Sequence, residues 1–240
     1  MNNKIEINNV VDNLKKLGYI VNVFDTKENA KEYLLSSIKN KTISFGGSQT
    51  IANLNLKEEL AKNNTLYMAD KIPEGETIES ITSKIMSADY FMLSCNAMTL
   101  KGEIVNLDGI GNRVAGSLYG HKKIYYILGD NKICNTMEEA VDRVRNIASP
   151  KNCLRLHKLT PCALKVRDDL EKEFKEKYNT ETIDQLRWAA FIESIPNDKL
   201  NTHCFDCASD DRICRSLCIH LSKIKSMEAE VIIIKEELGY

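Results

Sequence analysis

The sequence has no apolar run approaching the roughly 18 residues that a membrane-spanning helix needs. Its first residues, MNNKIEINNVVDNL, lack the apolar core of a secretory signal peptide. It also lacks an excess of one charge, because its 33 Lys and Arg residues are balanced by 34 Asp and Glu residues. Nucleic acids and anionic membranes attract strongly basic surfaces, so neither is expected as a partner. We therefore expect a cytoplasmic protein that binds neither membranes nor nucleic acid.

Three cofactor motifs are also missing. The glycine turn Gly46–Ser48 is not followed by the Gly-Lys-Ser or Gly-Lys-Thr of a Walker A loop. In the second glycine turn, Val114 stands where a dinucleotide-binding fingerprint has its third glycine. The eight cysteines do not follow the close cysteine run of bacterial ferredoxins. These absences argue against a Walker A phosphate site, a nicotinamide site and a ferredoxin-type cluster motif.

The chain does have 43% hydrophobic residues, which is enough for a sizeable core. Short apolar runs alternate with segments of helical spacing, and this alternation is typical of a doubly wound, mainly parallel α/β sheet. The predicted strands are 19–24, 42–45, 65–68, 90–93, 123–128 and 230–235. The predicted helices are 3–17, 26–39, 51–62, 76–86, 113–119 and 138–148.

Local features add detail to this prediction. A glycine-containing turn at 101–103, between two β-prone runs, predicts a hairpin. Asn112 is expected to cap the helix that follows it, and Pro150 is expected to end helix 138–148. The whole chain, 1–240, is predicted to be one domain. It would carry a helical hairpin inserted at 163–203, ahead of a cysteine-rich loop at 204–218.

Polar and glycine residues gather where the predicted strands end, and we predict that they form a ligand site. In open α/β sheets, ligands bind outside the carboxyl ends of the strands, and strand-to-helix turns favour anions. The predicted ligand-binding residues are Gly46, Gly47, Ser48, Thr50, Asn96, Gly109, Gly111, Asn112, Arg113, Asn131 and Lys132. The alternative is ordinary turn chemistry, because tight turns use Asp, Asn and Gly in any case. The ligand would be small and either anionic or rich in oxygen.

The cysteines predict a metal site. Cys204 and Cys207 form a Cys-x-x-Cys pair, and Cys214, with the distant Cys162, completes a set of four thiolates that suits zinc or an iron–sulfur centre. The alternate ligands are Cys218, His203 and His220. Two other interpretations stay open: free or buried thiols, and a redox dithiol at the Cys-x-x-Cys pair. The isolated residues Cys95, Cys134 and Cys153 are expected to fill the core as small hydrophobes.

Taken together, these motifs resemble the LUD family, the lactate-utilisation proteins of the LutC/YkgG type. The resemblance extends in order over nearly the whole chain. The segments that carry it are Gly46-Gly47-Ser48-x-Thr50, Ser94-x-Asn96-Ala97-x-Thr99, Asn106-x-Asp108-Gly109-x-Gly111-Asn112-Arg113, Gly129-x-Asn131-Lys132, Thr160-Pro161-Cys162, Cys204-x-Asp206-Cys207 and Arg212-Ile213-Cys214. One departure is the segment from Ala163 to His203, because relatives join Thr-Pro-Cys to Cys-x-x-Cys through a handful of residues.

The resemblance implies a fold of the sugar-phosphate isomerase and CoA-transferase superfamily (NagB/RpiA/CoA-transferase-like). It implies a role in lactate or organic-acid utilisation alongside iron–sulfur partner proteins, which favours a 4Fe-4S cluster over zinc. Fold analogy makes Glu103 and Asp108 the candidate catalytic acid/base groups. The ligand would be a carboxylate, a phosphate or a CoA ester. The alternative function is a non-catalytic subunit, either an electron relay or a scaffold, and a homodimer is one assembly left open.

Overall fold

The computed structural model describes residues 7–240 and is built on a six-stranded sheet in the order β1-β10-β7-β4-β2-β3. All five neighbouring pairs are parallel, so the predicted α/β class with a mainly parallel sheet is confirmed. The strands are β1 (Ile20–Phe24), β2 (Thr42–Phe45), β3 (Thr65–Tyr67), β4 (Tyr90–Leu93), β7 (Lys123–Gly129) and β10 (Glu228–Ile234).

The sheet is buried on both faces, which explains why its strands read as continuous apolar runs. Successive side chains of a strand point to opposite faces. In β10, Val231 and Ile233 therefore pack on one face with Leu14 of the first helix, while Ile232 and Ile234 pack on the other with Leu34 of the second. Helices thus cover both faces, as a doubly wound sheet requires.

The helices of the first half are short. They are α1 (Ile7–Lys16), α2 (Lys27–Ser37), α3 (Gln49–Asn53), α4 (Lys57–Ala61), α5 (Ile78–Ser87) and α6 (Asn112–Leu118). The predicted helix 51–62 is two helices, because Asn55 adopts a left-handed conformation (φ 48°) that breaks it. Residues 3–6 of the predicted first helix lie outside the described part of the chain. Of the helices in the described residues, none is both long and apolar enough to cross a membrane.

A second, four-stranded sheet has the order β8-β5-β6-β9. Its strands are β5 (Ala97–Thr99), β6 (Ile104–Asp108), β8 (Ile133–Cys134) and β9 (Ser216–His220). The antiparallel β5–β6 pair confirms the predicted hairpin. Strand β9 was not predicted, and it takes Cys218 out of the expected cysteine loop by pairing it with Asn106 of β6.

Residues 137–155 form one helical run, so Pro150 does not end a helix as predicted. The run comprises α7 (Met137–Arg143), a π turn (Val144–Ala148) and α8 (Ser149–Arg155). The backbone N–H of Ser149 bonds to the carbonyl of Val144, five residues back. Pro150 then stands in the first turn of α8, where its missing N–H costs little. Single π turns inside helices frequently mark functional sites.

The predicted helical hairpin is present as α9 (Pro161–Tyr178) and α10 (Gln185–Ser194). Its aromatic side chains pack around Trp188, which is fully buried and donates from Nε1 to the Leu154 carbonyl of α8 at 2.9 Å. Glu193 at the end of α10 accepts hydrogen bonds from Asn53 Nδ2 and from Gly239 N, each at 2.6 Å. The hairpin is therefore attached to α3 and to the segment after β10. Residues 201–215 then return as a loop to β9.

Candidate functional site

A cavity of about 220 Å³ lies at the carboxyl ends of the central parallel strands. Most of the residues that the sequence predicts as a ligand site line it, although they come from different loops. These residues are Gly47, Ser48, Asn96, Gly109, Asn112, Arg113 and Lys132, and the predicted catalytic residue Asp108 lines the cavity as well. Ser94, Ser149, Asn152 and Arg155 also line it. The predicted residues Gly46, Thr50, Gly111 and Asn131 are not on its wall; the first two contact lining side chains from behind.

Arg113 is held in place by the two glycine turns together. Its Nη2 donates to Asn96 Oδ1 at 2.9 Å and to the Leu107 carbonyl at 2.5 Å. Its aliphatic part lies against Gly46, where an added Cβ would be only 2.7 Å from the Arg113 Cγ. Glycine at this position therefore makes room for the arginine. The guanidinium is largely removed from water, and this burial lowers its pKa despite the opposing charge of Asp108.

Asp108 closes the turn into α6. Its carboxylate accepts hydrogen bonds from the backbone N–H groups of Val114 (2.9 Å) and Ile110 (3.2 Å). Burial would raise the pKa of Asp108, but these backbone donors and the Arg113 charge outweigh it and lower the pKa. The cap residue of α6 is Gly111 at φ 90°, and the predicted cap Asn112 is instead the first residue of the helix. Asp108 is thus a stably ionised wall of the cavity, better suited to fixing the turn than to exchanging a proton.

Glu103 is not brought to the cavity. Its carboxylate accepts a hydrogen bond from Thr99 Oγ1 at 2.7 Å, inside the turn that joins β5 to β6. The adjacent Gly102 contacts Leu14 and Leu17 of the first helix. Glu103 stands immediately before strand β6, and Asp108 is the last residue of that strand. Roughly 17 Å of extended chain therefore separates these two residues. The two carboxylates therefore do not meet at one site, and their catalytic roles stay a prediction.

Lys132 lies in the floor of the cavity, in a single helical turn after β7, and only 2% of its surface is exposed. Its Nζ donates to Thr50 Oγ1 at 2.7 Å and to Ser94 Oγ at 3.2 Å. Burial lowers the pKa of Lys132 to about 7, and the nearby charges of Arg143 and Arg113 act in the same direction. The sequence predicts this residue as a ligand contact, but nothing in the sequence indicates its burial.

Positive charge is in excess around the cavity. Arg143 is also buried; its Nη1 donates to the Asn96 carbonyl at 2.6 Å and its Nε to the Asn131 carbonyl at 3.2 Å. Within residues 7–240, no carboxylate forms a salt bridge with Arg113, Lys132, Arg143 or Arg155. A charge removed from water is costly unless an opposite charge is close to it. An anion in the cavity would supply that opposite charge.

Sequence reasoning missed the contribution of the helical run 137–155. It supplies Ser149, Asn152 and Arg155 to the wall and Arg143 to the layer behind it. The sequence offers one indication, since basic residues at 143, 151 and 155 fall among apolar ones in a segment of helical spacing. The predicted stop at Pro150 hid that indication, because it placed positions 151 and 155 outside the helix.

The four predicted metal-binding cysteines do not gather. Cys162 is buried with its sulfur 3.2 Å from Thr160 Oγ1, and a hydrogen bond from Cys153 lowers its pKa. Cys204 lies in the surface loop and accepts from Arg145 Nη2 at 3.4 Å. Among residues 7–240, no three Cys, His, Asp or Glu side chains are grouped as a metal ion would need. The metal centre stays a prediction. Cys95, Cys134 and Cys153 are buried, as the sequence predicts.

Comparison with known proteins agrees with the motifs. The model of the LUD domain family matches residues 7–187. Among solved structures, the chain is similar to a DUF162 family protein from Deinococcus radiodurans, at 12% identity, with 95% of each chain covered and a TM-score of 0.49. It is also similar to ribose 5 phosphate isomerase A from Neisseria gonorrhoeae, at 14% identity, with a TM-score of 0.31 over 46% of this chain and 54% of that chain. No curated protein matches the sequence.

The two structural similarities are too weak to carry an argument about this chain. The family match is different, because it extends over well more than half of the residues. It also spans the turn residues that form the wall of the cavity, from Gly47 through Arg113 to Lys132. The protein therefore belongs to the LUD domain family.

Proposed function

We propose that the cavity binds a small organic acid as its anion, and that the protein acts in the utilisation of lactate or a related organic acid. The observation that carries this proposal is the pair of arginines that line the cavity, Arg113 and Arg155, neither of which forms a salt bridge with a carboxylate among residues 7–240. Family membership supports the choice of an organic acid over other anions.

The proposal depends on the cationic side chains and not on the N-termini of the short helices. Helix α3 has five residues and α6 has seven, and the side chain of Ser48 already caps α3 by accepting from the Ile51 N–H at 3.3 Å. In contrast, the Arg113 guanidinium presents a planar set of donors of the kind that matches a carboxylate. Since Nη2 is committed to Asn96 and Leu107, the remaining donors of the fork are the ones available to a ligand.

The volume favours a small ligand. Pockets that enclose drug-sized molecules measure about 300–1,000 Å³, and this cavity measures about 220 Å³. A three-carbon acid or an inorganic phosphate fits that space, whereas a CoA ester could place only its acyl end inside. Gly109 and Ile110 also line the cavity, and so does Ile213 of the surface loop 201–215.

Isothermal titration of the whole chain with lactate, pyruvate and phosphate tests the proposal. We expect one site for at least one of the two carboxylates, with Arg113→Ala weakening it by about 10- to 100-fold, the loss of one charge-assisted contact of 1.5–3 kcal/mol. Arg113→Lys should recover only part of the affinity, because it restores the charge without the fork. The matched control is Arg187→Ala, an exposed arginine of α10. Failure of every carboxylate to bind would refute the proposal and favour a scaffold or electron-relay subunit.

A further inference from the structure

The amine of Lys132 has an unusual set of partners. Its two neighbours within hydrogen-bond distance are the hydroxyls of Thr50 and Ser94. Each hydroxyl already donates its own proton elsewhere, Thr50 to the Leu238 carbonyl at 3.0 Å and Ser94 to the Cys95 carbonyl at 3.3 Å. Both oxygens must therefore accept from Lys132, so the nitrogen donates two hydrogen bonds at this position.

Two donated hydrogen bonds use both N–H groups of a neutral amine, whereas an ammonium has a third N–H group that also needs an acceptor. A neutral amine has two N–H groups and one lone pair, whereas an ammonium has three N–H groups and no acceptor. Within the described residues, no further acceptor lies within bonding distance of Nζ, so an ammonium would keep one buried N–H unpaired. The side chain lines the cavity, and the backbone of Gly239 closes off another side, with Nζ 3.3 Å from the position of a Cβ there. A free lone pair at the wall of a cavity is the arrangement of a nucleophile.

Burial is the main effect that opposes protonation of Lys132. The charges of Arg143 of α7 and Arg113 of α6 act in the same direction, whereas Cys95 after β4 and Glu193 of α10 act against it, more weakly than burial. The net effect of burial and these charges lowers the pKa of Lys132 to about 7. Neutral amine is therefore abundant near neutral pH, unlike that of a surface lysine with a pKa near 10.4.

We propose that Lys132 forms a Schiff base with a 2-oxo acid whose carboxylate is held at Arg113. This assignment rests on the proposed function, because it takes the anion site and names the class of its ligand. The lone pair of Nζ attacks the carbonyl carbon to give a carbinolamine. The carbonyl oxygen then leaves as water, taking both hydrogens of the neutral amine, and a C=N bond replaces the C=O bond. No oxidant, reductant or metal is needed for this step.

A second buried lysine provides a built-in comparison. Lys151 of α8 is 3% exposed, and burial lowers its pKa to about 8. However, its Nζ donates to the Ile195 carbonyl at 2.6 Å, and it does not line the cavity. If burial alone governed reactivity, the two lysines would differ by at most about tenfold in the fraction of deprotonated amine, the limit that one pKa unit sets. Access to the cavity should add to that ratio in favour of Lys132.

The experiment is reductive trapping on the whole chain. The protein is incubated with pyruvate and cyanoborohydride, and intact-mass and peptide mass spectrometry locate any adduct, which is one pyruvate less one water plus two hydrogens. We expect one adduct, on the peptide that contains Lys132, at more than about tenfold the labelling of Lys151. Its rate should rise as the pH passes through about 7, because only the neutral amine reacts. Lactate, which has a hydroxyl in place of the ketone, should give none.

Lys132→Met should abolish the adduct. Peptide mapping of the wild-type protein decides the question even where this variant does not fold. Pyruvate that binds without labelling Lys132, or labelling confined to surface lysines or to Lys151, would overturn the Schiff-base assignment and leave the proposed function standing. Absence of binding by any carboxylate would instead remove the proposed function, and this inference with it.

Discussion

Replacement of Gly46 by alanine should displace the Arg113 side chain without adding or removing a charge. The new Cβ would lie 2.7 Å from Arg113 Cγ, 3.2 Å from its Cδ and 3.3 Å from Leu93 Cβ. Carbon atoms pack at about 3.5–4.0 Å, so the arginine stem must retreat by about 1 Å. The turn itself has little freedom to yield, because Gly46 N is bonded to the Met92 carbonyl at 2.9 Å.

The magnitude follows from what that retreat breaks. Overpacking a filled site costs about 1–3 kcal/mol, and a shift of 1 Å would stretch both hydrogen bonds of Nη2 beyond useful length. We expect Gly46→Ala to lower the free energy of unfolding by about 2–4 kcal/mol and to weaken anion binding by more than about tenfold. Gly47→Ala is the matched control, because nothing lies within 4 Å of its Cβ position. That variant should remain within about 0.5 kcal/mol of wild type.

Urea denaturation and titration with lactate or pyruvate would measure both effects. A double-mutant cycle with Arg113→Ala isolates the contact, since Gly46→Ala should cost little once the arginine stem is gone. Equal unfolding free energies for the two glycine variants would show that the arginine side chain does not need the space that Gly46 leaves. A Gly46→Ala cost that persists in the Arg113→Ala background would show that the strain lies in the turn itself.

Three other expectations concern parts of the chain outside this contact. Trp188→Phe should lower the unfolding free energy in urea by more than about 1 kcal/mol, because it removes the bond to Leu154 and leaves a cavity where the larger indole was packed; an unchanged value would mean that neither the bond nor the indole packing contributes. Lys122 and the Thr42 N–H lower the pKa of Asp89 to about 2, below its unfolded value of about 3.9. Its contribution is therefore present above pH 4 and lost as the pH falls toward 2, so Asp89→Asn should destabilise at pH 7 and much less at pH 2. Anaerobically purified protein analysed for iron, zinc and sulfide tests the predicted cluster; a Cys207→Ser variant with unchanged metal content would exclude that residue as a ligand.

The sequence predicts the parallel sheet well, because buried strands leave an unmistakable apolar run. Tyr90–Leu93 and the central part of Lys123–Gly129 are apolar on both faces, and no surface pattern competes with that interpretation. Edge strand β9 went unpredicted for the opposite reason. Its residues Ser216–His220 are mostly exposed, so this strand does not form a buried apolar run. The neighbouring cysteines suggested a loop instead.

The site was predictable where turn residues and charge occur together, as at Arg113. It was not predictable where the function of a residue depends on distance along a strand. Glu103 and Asp108 are five positions apart in sequence, and only the direction of β6 reveals that they lie at opposite ends of it. Lys132 is similar, because its low pKa arises mainly from burial in the folded chain, and the charges of Arg143 and Arg113 act in the same direction.

The attachment of the helical hairpin through Glu193 has a consequence for how the molecule opens. The carboxylate of Glu193 ties α10 to Gly239, and the adjacent Leu238 carbonyl accepts the hydroxyl of Thr50, which itself accepts from Lys132. Detachment of the hairpin would therefore loosen the floor of the cavity, and a ligand that rigidifies the floor would oppose detachment. The two processes are linked equilibria, and each must bias the other by the same free energy. Amides of α10, which contributes no residue to the cavity wall, should then exchange their hydrogens more slowly when the cavity is occupied.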